Sequence, residues 1–186
     1  MTRGNRFTGR ARPQRNRPAL ILIRVTSAAA RPGPAFRPAT IADVGALTEL
    51  EQSANEVALG HLFAGVPFPR EEVARRWRAE LADVSRTVEV IDAEGKLACF
   101  VCFDAHRLQH LAVHPEYWRR GLARAAIERA VARMDGDPVL WCLRDNTRAR
   151  GLYERLGWTL TERTKRSEYP PHYEEVEYTL RRPPRP

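Results

Sequence analysis

The chain has 186 residues, with 31 Lys and Arg against 23 Asp and Glu and a formal net charge of +8. A hydrophobic content of 43% with 29% charged residues excludes a disordered or fibrous chain. No run approaches the ~20 apolar residues of a membrane span, and three cysteines, an odd number, argue against a disulfide scaffold and for a reducing compartment.

So basic a balance invites a nucleic-acid partner, but the excess is local. Residues 1–38 hold nine arginines (Arg3, Arg6, Arg10, Arg12, Arg15, Arg17, Arg24, Arg31 and Arg37) and no acid, leaving 22 basic against 23 acidic residues elsewhere. Residues 1–34 also carry Pro13, Pro18, Pro32 and Pro34 and three glycines, the composition of a disordered basic extension. Its one apolar patch, Ala19 to Ile23, is shorter than the ~7–15 residues of a secretory core. A mitochondrial presequence, sequence upstream of the native start, and an RNA- or ribosome-contacting arm stay open for it. Only Lys96 and Lys165 accompany 29 arginines, a skew that we read as coding-sequence base composition.

A single domain is expected over residues 35–186. Phe36 to Thr40 reads as a short edge strand, with Thr40 as the N-cap of a helix reaching about Ala54, whose Val44, Leu47 and Leu50 share one face. A loop from Glu56 to Pro69 presents Leu62, Phe63 and Phe68, and a second helix follows over 70–81 with Val73, Trp77 and Leu81 in line. The period then changes to two. Residues 87–91 and 97–103 form a hairpin about Glu94-Gly95, and residues 108–113 form a third strand ended by Pro115. A helix is predicted over 119–134, a strand over 139–143, a helix over 147–156 closed by Gly157, and strands over 158–164 and 175–180. This order, β-α-α-β-β-β-α-β-α-β-β, calls for a mixed α/β sheet with helices on both faces.

The segment Leu111 to Arg124 carries the first chemistry. A strand ends at a proline, a loop turns, and Gly121 opens a helix with no Ser, Thr, Asp or Asn to cap it. The uncapped amides at the positive end of the helix dipole suit an anion, with Gly121 and Ala123 leaving room and Arg119, Arg120 and Arg124 adding charge. A tight basic turn with no ligand reads equally from this segment alone. The partner segment is Trp141 to Trp158, with Asn146, Ala149, Leu152, Tyr153, Gly157 and Trp158 at fixed spacing.

Together the two segments resemble the acetyl-CoA loop and the N-x-x-A-x-x-[LF]-Y-x-x-x-G-[FW] signature of the Gcn5-related N-acetyltransferases, the GNAT family. The resemblance implies the GNAT (acyl-CoA N-acyltransferase) fold: α/β, a mixed, largely antiparallel central sheet with helices on both faces. It implies acetyl-CoA as cofactor, no metal, and transfer of acetyl to a primary amine by direct attack. The backbone of Leu111, Ala112 and Val113 would take the pantetheine arm, and Arg119, Arg120, Gly121, Leu122, Ala123 and Arg124 the pyrophosphate. Asn146 would hydrogen-bond the cofactor where the central strands splay, and Tyr153 would protonate the departing thiolate. A core tyrosine packed on Leu156 and Trp158 is the plainer reading of Tyr153.

Two positions depart from the family. Trp118 stands where Arg or Gln is usual, which main-chain binding tolerates. Trp141 stands where the ribosomal-protein alanine acetyltransferase branch carries a catalytic glutamate, which puts that activity in doubt. For the general base, His110 is the best placed on the strand leading to the loop, with Glu89, Asp104 and a water as rivals. Cys99 and Cys102 have CxxC spacing but point to opposite faces of a strand, so buried cysteines are expected rather than a metal or redox site.

The acceptor is left open among small amines, antibiotics, amino acids and peptide N-termini, with the first two helices and their loop as its site. There Leu62, Phe63 and Phe68 would line or close a groove, and Glu51, Glu56 and Glu71 would attract a cation. A cytoplasmic protein is expected, with no membrane partner, no nucleic acid except through the N-terminal arm, and a homodimer left open. An acyl-CoA-binding sensor without turnover, and an RNA-associated protein acting through the arm, are the rival readings.

Overall fold

The computed structural model describes residues 33–182, so the arm expected over residues 1–34 lies outside the described residues but for Gly33 and Pro34. Seven strands form one sheet in the order β1-β2-β3-β4-β5-β7-β6. They are β1 (Arg37–Pro38), β2 (Thr87–Ala93), β3 (Lys96–Phe103), β4 (Arg107–Val113), β5 (Val139–Leu143), β6 (Thr159–Arg166) and β7 (Glu174–Thr179). Every pairing is antiparallel except the parallel contact of β4 with β5. The helices are α1 (Val44–Leu59), α2 (Arg70–Ala82), α3 (Leu122–Val131) and α4 (Thr147–Arg155).

The predicted element order holds throughout, with differences at helix ends. Thr40 caps a 3-10 turn, Ile41–Asp43, before α1 begins. The Asp43 carboxylate accepts the Thr40 amide at 2.7 Å and both ends of the Arg37 guanidinium at 2.9 Å, which lowers its pKa to about 2. No breaker follows Ala54, so α1 runs on to Leu59 and buries that residue too. α3 starts at Leu122 rather than Arg119, because Arg119 (φ 63°) and Gly121 (φ 82°) are both left-handed.

Helices cover both faces, each over its own apolar layer. α1 and α2 pack Leu47, Leu50, Val73 and Trp77 against Val90, Phe100 and Cys102. On the other face Ala126, Ile127 and Ala130 of α3 and Tyr153 of α4 meet Cys99, Val101, Phe103 and Leu140. Cys99 and Cys102 therefore do face opposite ways. Burial pushes the pKa of Cys99 up to about 12, and the described residues contain no cluster suited to a metal ion.

Glu89 on β2 is only 5% exposed and joins α3 to the sheet. It accepts from Arg129 at 2.6 and 2.9 Å and from Arg133 at 3.0 Å, and these bonds hold its pKa below the ordinary carboxylate value. A carboxylate with a depressed pKa stabilises the fold above its unfolded pKa, and that contribution is lost as pH falls through the folded pKa. Glu89→Gln is therefore expected to cost about 1–2 kcal/mol at pH 7 and to flatten the decline of stability below about pH 4.5, the pKa of a free glutamate. Urea denaturation of both proteins from pH 7 to pH 3 measures this, and parallel curves refute it.

Candidate active site

The site arises where two neighbouring strands stop pairing. β4 and β5 share only the rungs Arg107–Val139 and Leu108–Leu140. Beyond them β4 pairs only with β3, and β5 continues on β7 through Trp141, Cys142 and Leu143. The edge of β4 over residues 109–113 that faces β5 is left without a ladder, and a cleft of about 430 Å³ opens between the strands. Pro115 stops β4, while the closed end is tied by Val139 N–H to His106 O at 2.9 Å.

A bulge at the same point turns the side chains. Cys102 pairs with His110 and Phe103 with Leu108, so Gln109 is an extra residue on β4. Leu108 consequently packs on the α3–α4 face, whereas His110 meets the edge of Trp77 of α2, ring centres 5.4 Å apart. The bulge is pinned by Asp104, whose carboxylate accepts from the Gln109 side chain and from the amides of His106 and Arg107, each at 2.8 Å.

Of the residues predicted from sequence, His110, Leu111, Ala112, Asn146 and Tyr153 line the cleft. Asn146 caps α4, its Oδ1 accepting the Ala149 amide at 3.1 Å, while its side-chain nitrogen has no hydrogen bond among the described residues. Tyr153 is 8% exposed, its ring set against Trp158 and Tyr178 at 6.2 and 6.1 Å. Its hydroxyl has no hydrogen-bond partner among the described residues, and burial drives its pKa well above that of a free phenol. Packing and cleft-lining are thus both true of Tyr153.

Val113 and the six residues from Arg119 to Arg124 are not among the cleft-lining residues; they form the strand end and the turn beyond it. Arg119 and Gly121 flank Arg120 with left-handed backbone, and Gly121 caps α3 without a side-chain bond. Such a turn leaves consecutive amides free to converge on one anion. Arg120 lies over the buried Tyr117 ring at 4.9 Å, and Arg124 pairs with Glu128 at 3.3 Å. The unusual Trp118 donates its indole N–H to Val113 O at 2.6 Å and carries Arg148 on its face at 3.6 Å. It pins the loop to the strand end by its side chain.

The two carboxylate rivals for the base are occupied elsewhere. Glu89 is held by Arg129 and Arg133, and Asp104 by Arg86 and the bulge; neither lines the cleft. Trp141 does line it, with the Lys165 ammonium 4.8 Å from its ring centre and Glu175 3.2 Å from Lys165. In the expected acceptor region Phe63 lines the cleft, Phe68 packs into the α1–α2 core, and the Leu62 carbonyl accepts the Tyr173 hydroxyl. Glu51 is on the wall but already bonded to Arg76 (2.5 Å) and the Trp77 indole (3.0 Å), while Glu56 and Glu71 are exposed and outside it.

Sequence reasoning missed Glu80, Arg76 and the β6–β7 residues Lys165, Glu168 and Tyr169, all on the cleft wall. Glu80 had a signal: it stands three residues after Trp77, on the inward face of an amphipathic helix. The β6–β7 residues had none, since long-range pairing brings them there.

Residues 47–158 match the model of the acetyltransferase (GNAT) family. The [ribosomal protein bS18]-alanine N-acetyltransferase of Escherichia coli K12 is 38% identical over 85 residues, covering 41% of this chain and 56% of that protein, so the match spans about half its length. A GCN5-related N-acetyltransferase structure from Rhodopseudomonas palustris superposes with a TM-score of 0.65 at 17% identity, covering 80% of this chain and 96% of that one. A PaiA N-acetyltransferase from Thermoplasma acidophilum in complex with coenzyme A gives 0.56 at 15% identity, over 77% and 96%. At such identities these two structures speak for the fold.

Proposed function

The chain belongs to the acetyltransferase (GNAT) family, and we propose that it transfers the acetyl group of acetyl-CoA to a primary amine by direct attack. The observation that carries the reading is the parting of β4 from β5 with His110, Asn146 and the unbonded Tyr153 hydroxyl on its walls. The open edge of β4 over Leu111, Ala112 and Val113 suits the amides of a pantetheine arm, which would add to it like a strand. The uncapped start of α3 and the left-handed turn from Arg119 suit the pyrophosphate, and the free nitrogen of Asn146 suits a cofactor carbonyl.

When bound, acetyl-CoA supplies the activated thioester at which an amine nitrogen attacks, giving an amide and coenzyme A. His110 accepts the proton lost by that nitrogen, a role its carboxylate rivals lack because both are engaged by arginines away from the cleft. Tyr153 gives its hydroxyl proton to the departing sulfur, and burial keeps that proton in place until then. Exchange with solvent returns both groups to their starting states. At residue 141 the indole face with Lys165 on it offers no proton acceptor, so the alanine acetyltransferase chemistry of the Escherichia coli relative would have to run through His110 here.

Thiol release from acetyl-CoA across a panel of small amines, amino acids and peptides tests the proposal. Saturable, amine-dependent release is expected. No binding at millimolar acetyl-CoA refutes it, and binding without release on any amine favours the sensor reading.

A further inference from the structure

Glu80 sits on α2 facing His110, with its side chain 13% exposed and both carboxylate oxygens engaged. Oε1 lies 3.2 Å from His110 Nε2. Oε2 lies 3.3 Å from Arg86 Nε and 3.6 Å from the Cys102 thiol, which donates to it. Arg86 reaches on to Asp104 at 2.5 Å, the residue that pins the Gln109 bulge. Trp77, on the same helix, meets the ring of His110 edge to face. One chain of contacts thus runs from the histidine through Glu80 of α2, Arg86 and Asp104 to the bulge that orients it.

A carboxylate has only lone pairs to offer, so the imidazole nitrogen facing it must carry a hydrogen. Glu80 is held in that form, its pKa lowered first by the bond from His110 and further by Arg86. A neutral imidazole has one N–H, and if Nε2 bears it the lone pair is left on Nδ1.

We propose that Glu80 is a positioning residue that fixes neutral His110 in the Nε2–H tautomer, leaving Nδ1 to take the proton of the attacking amine. This deepens the acetyl-transfer reading and rests on it. In the step, an N–H bond of the amine breaks as Nδ1–H forms, and the resulting imidazolium stands against the Glu80 carboxylate.

The test reads the tautomer without turnover, from ring 15N shifts of the full chain at a pH where the ring is neutral, His110 being assigned by its loss in His110→Gln. The expected wild-type spectrum has a protonated Nε2 and a bare Nδ1. Glu80→Gln keeps that signature, because its amide oxygen still accepts, whereas Glu80→Ala gives mixed tautomers. With acetyl-CoA and the best amine of the panel, Glu80→Ala should also lower kcat about tenfold with KM for acetyl-CoA unchanged. A wild-type ring in the Nδ1–H form overturns the proposal whether or not Glu80→Ala folds, and so does an identical spectrum in that variant. Since no substrate is needed, failure here is separate from failure of acetyl transfer.

Discussion

Truncating Trp77 to alanine is expected to destabilise the domain by about 3–5 kcal/mol, the range for deleting a fully buried aromatic side chain. Trp77 is 0% exposed and heads the largest buried side chains. It holds three groups at once: the Phe100 ring at 4.8 Å, the His110 ring at 5.4 Å, and the Glu51 carboxylate through its indole N–H at 3.0 Å. Glu51 would keep Arg76, so the loss falls mainly on packing. For a domain of this size the melting temperature should drop about 10–15 °C. Thermal and urea denaturation measure it. A loss under about 1 kcal/mol would mean that the α1–α2 layer is not built around this residue.

Replacing Tyr153 with phenylalanine should lower kcat about a hundredfold, at the lower end of what a positioned acid contributes. The substitution removes one oxygen that has no partner among the described residues, so the packing of the ring on Trp158 and Tyr178 survives and stability changes little. The acetyl-CoA dissociation constant should stay within about threefold, since an interaction made only in the transition state leaves ground-state binding alone. Stopped-flow thiol release at saturating acetyl-CoA, with calorimetry for binding, separates the two. An unchanged kcat would take Tyr153 out of the acid role.

The strand and helix order was legible in sequence because hydrophobic period and breakers act locally. Alternation over 87–103, the turn at Glu94-Gly95, Pro115 and Gly157 each mark their element without help from distant residues. What escaped depends on register. The Gln109 bulge moves His110 to the α1–α2 face, yet nothing in Arg107 to Val113 distinguishes a bulged strand from a regular one. A regular strand would have set Leu108 and His110 on the same face. The short α3 escaped for another reason: Arg119 adopts a left-handed backbone that a non-glycine residue does not advertise. Of the candidate residues, Asn146 and Tyr153 belong to one contiguous motif and His110 to the strand that leads into the other, and the structure brings all three to the cleft. Their partners could not be named from sequence. Glu80 reaches His110 across 30 positions of sequence, and Lys165 reaches Trp141 across 24. Charge was misleading only in total; the rivals Glu89 and Asp104 are neutralised by Arg129 of α3, Arg133 just beyond it and Arg86 between α2 and β2.

Two rungs alone join β4 to β5. Only the two-residue edge strand β1 shares as few rungs with its neighbour, so among the longer strands the β4–β5 seam is the most sparsely laddered. A guest bound along the open edge, as proposed for the pantetheine arm, would supply the missing rungs and become part of the girder that carries it. Any molecule bound only by the folded state raises resistance to unfolding as its concentration rises. Here that reinforcement would be laid across the seam itself, making the empty protein slack where the loaded one is stiff.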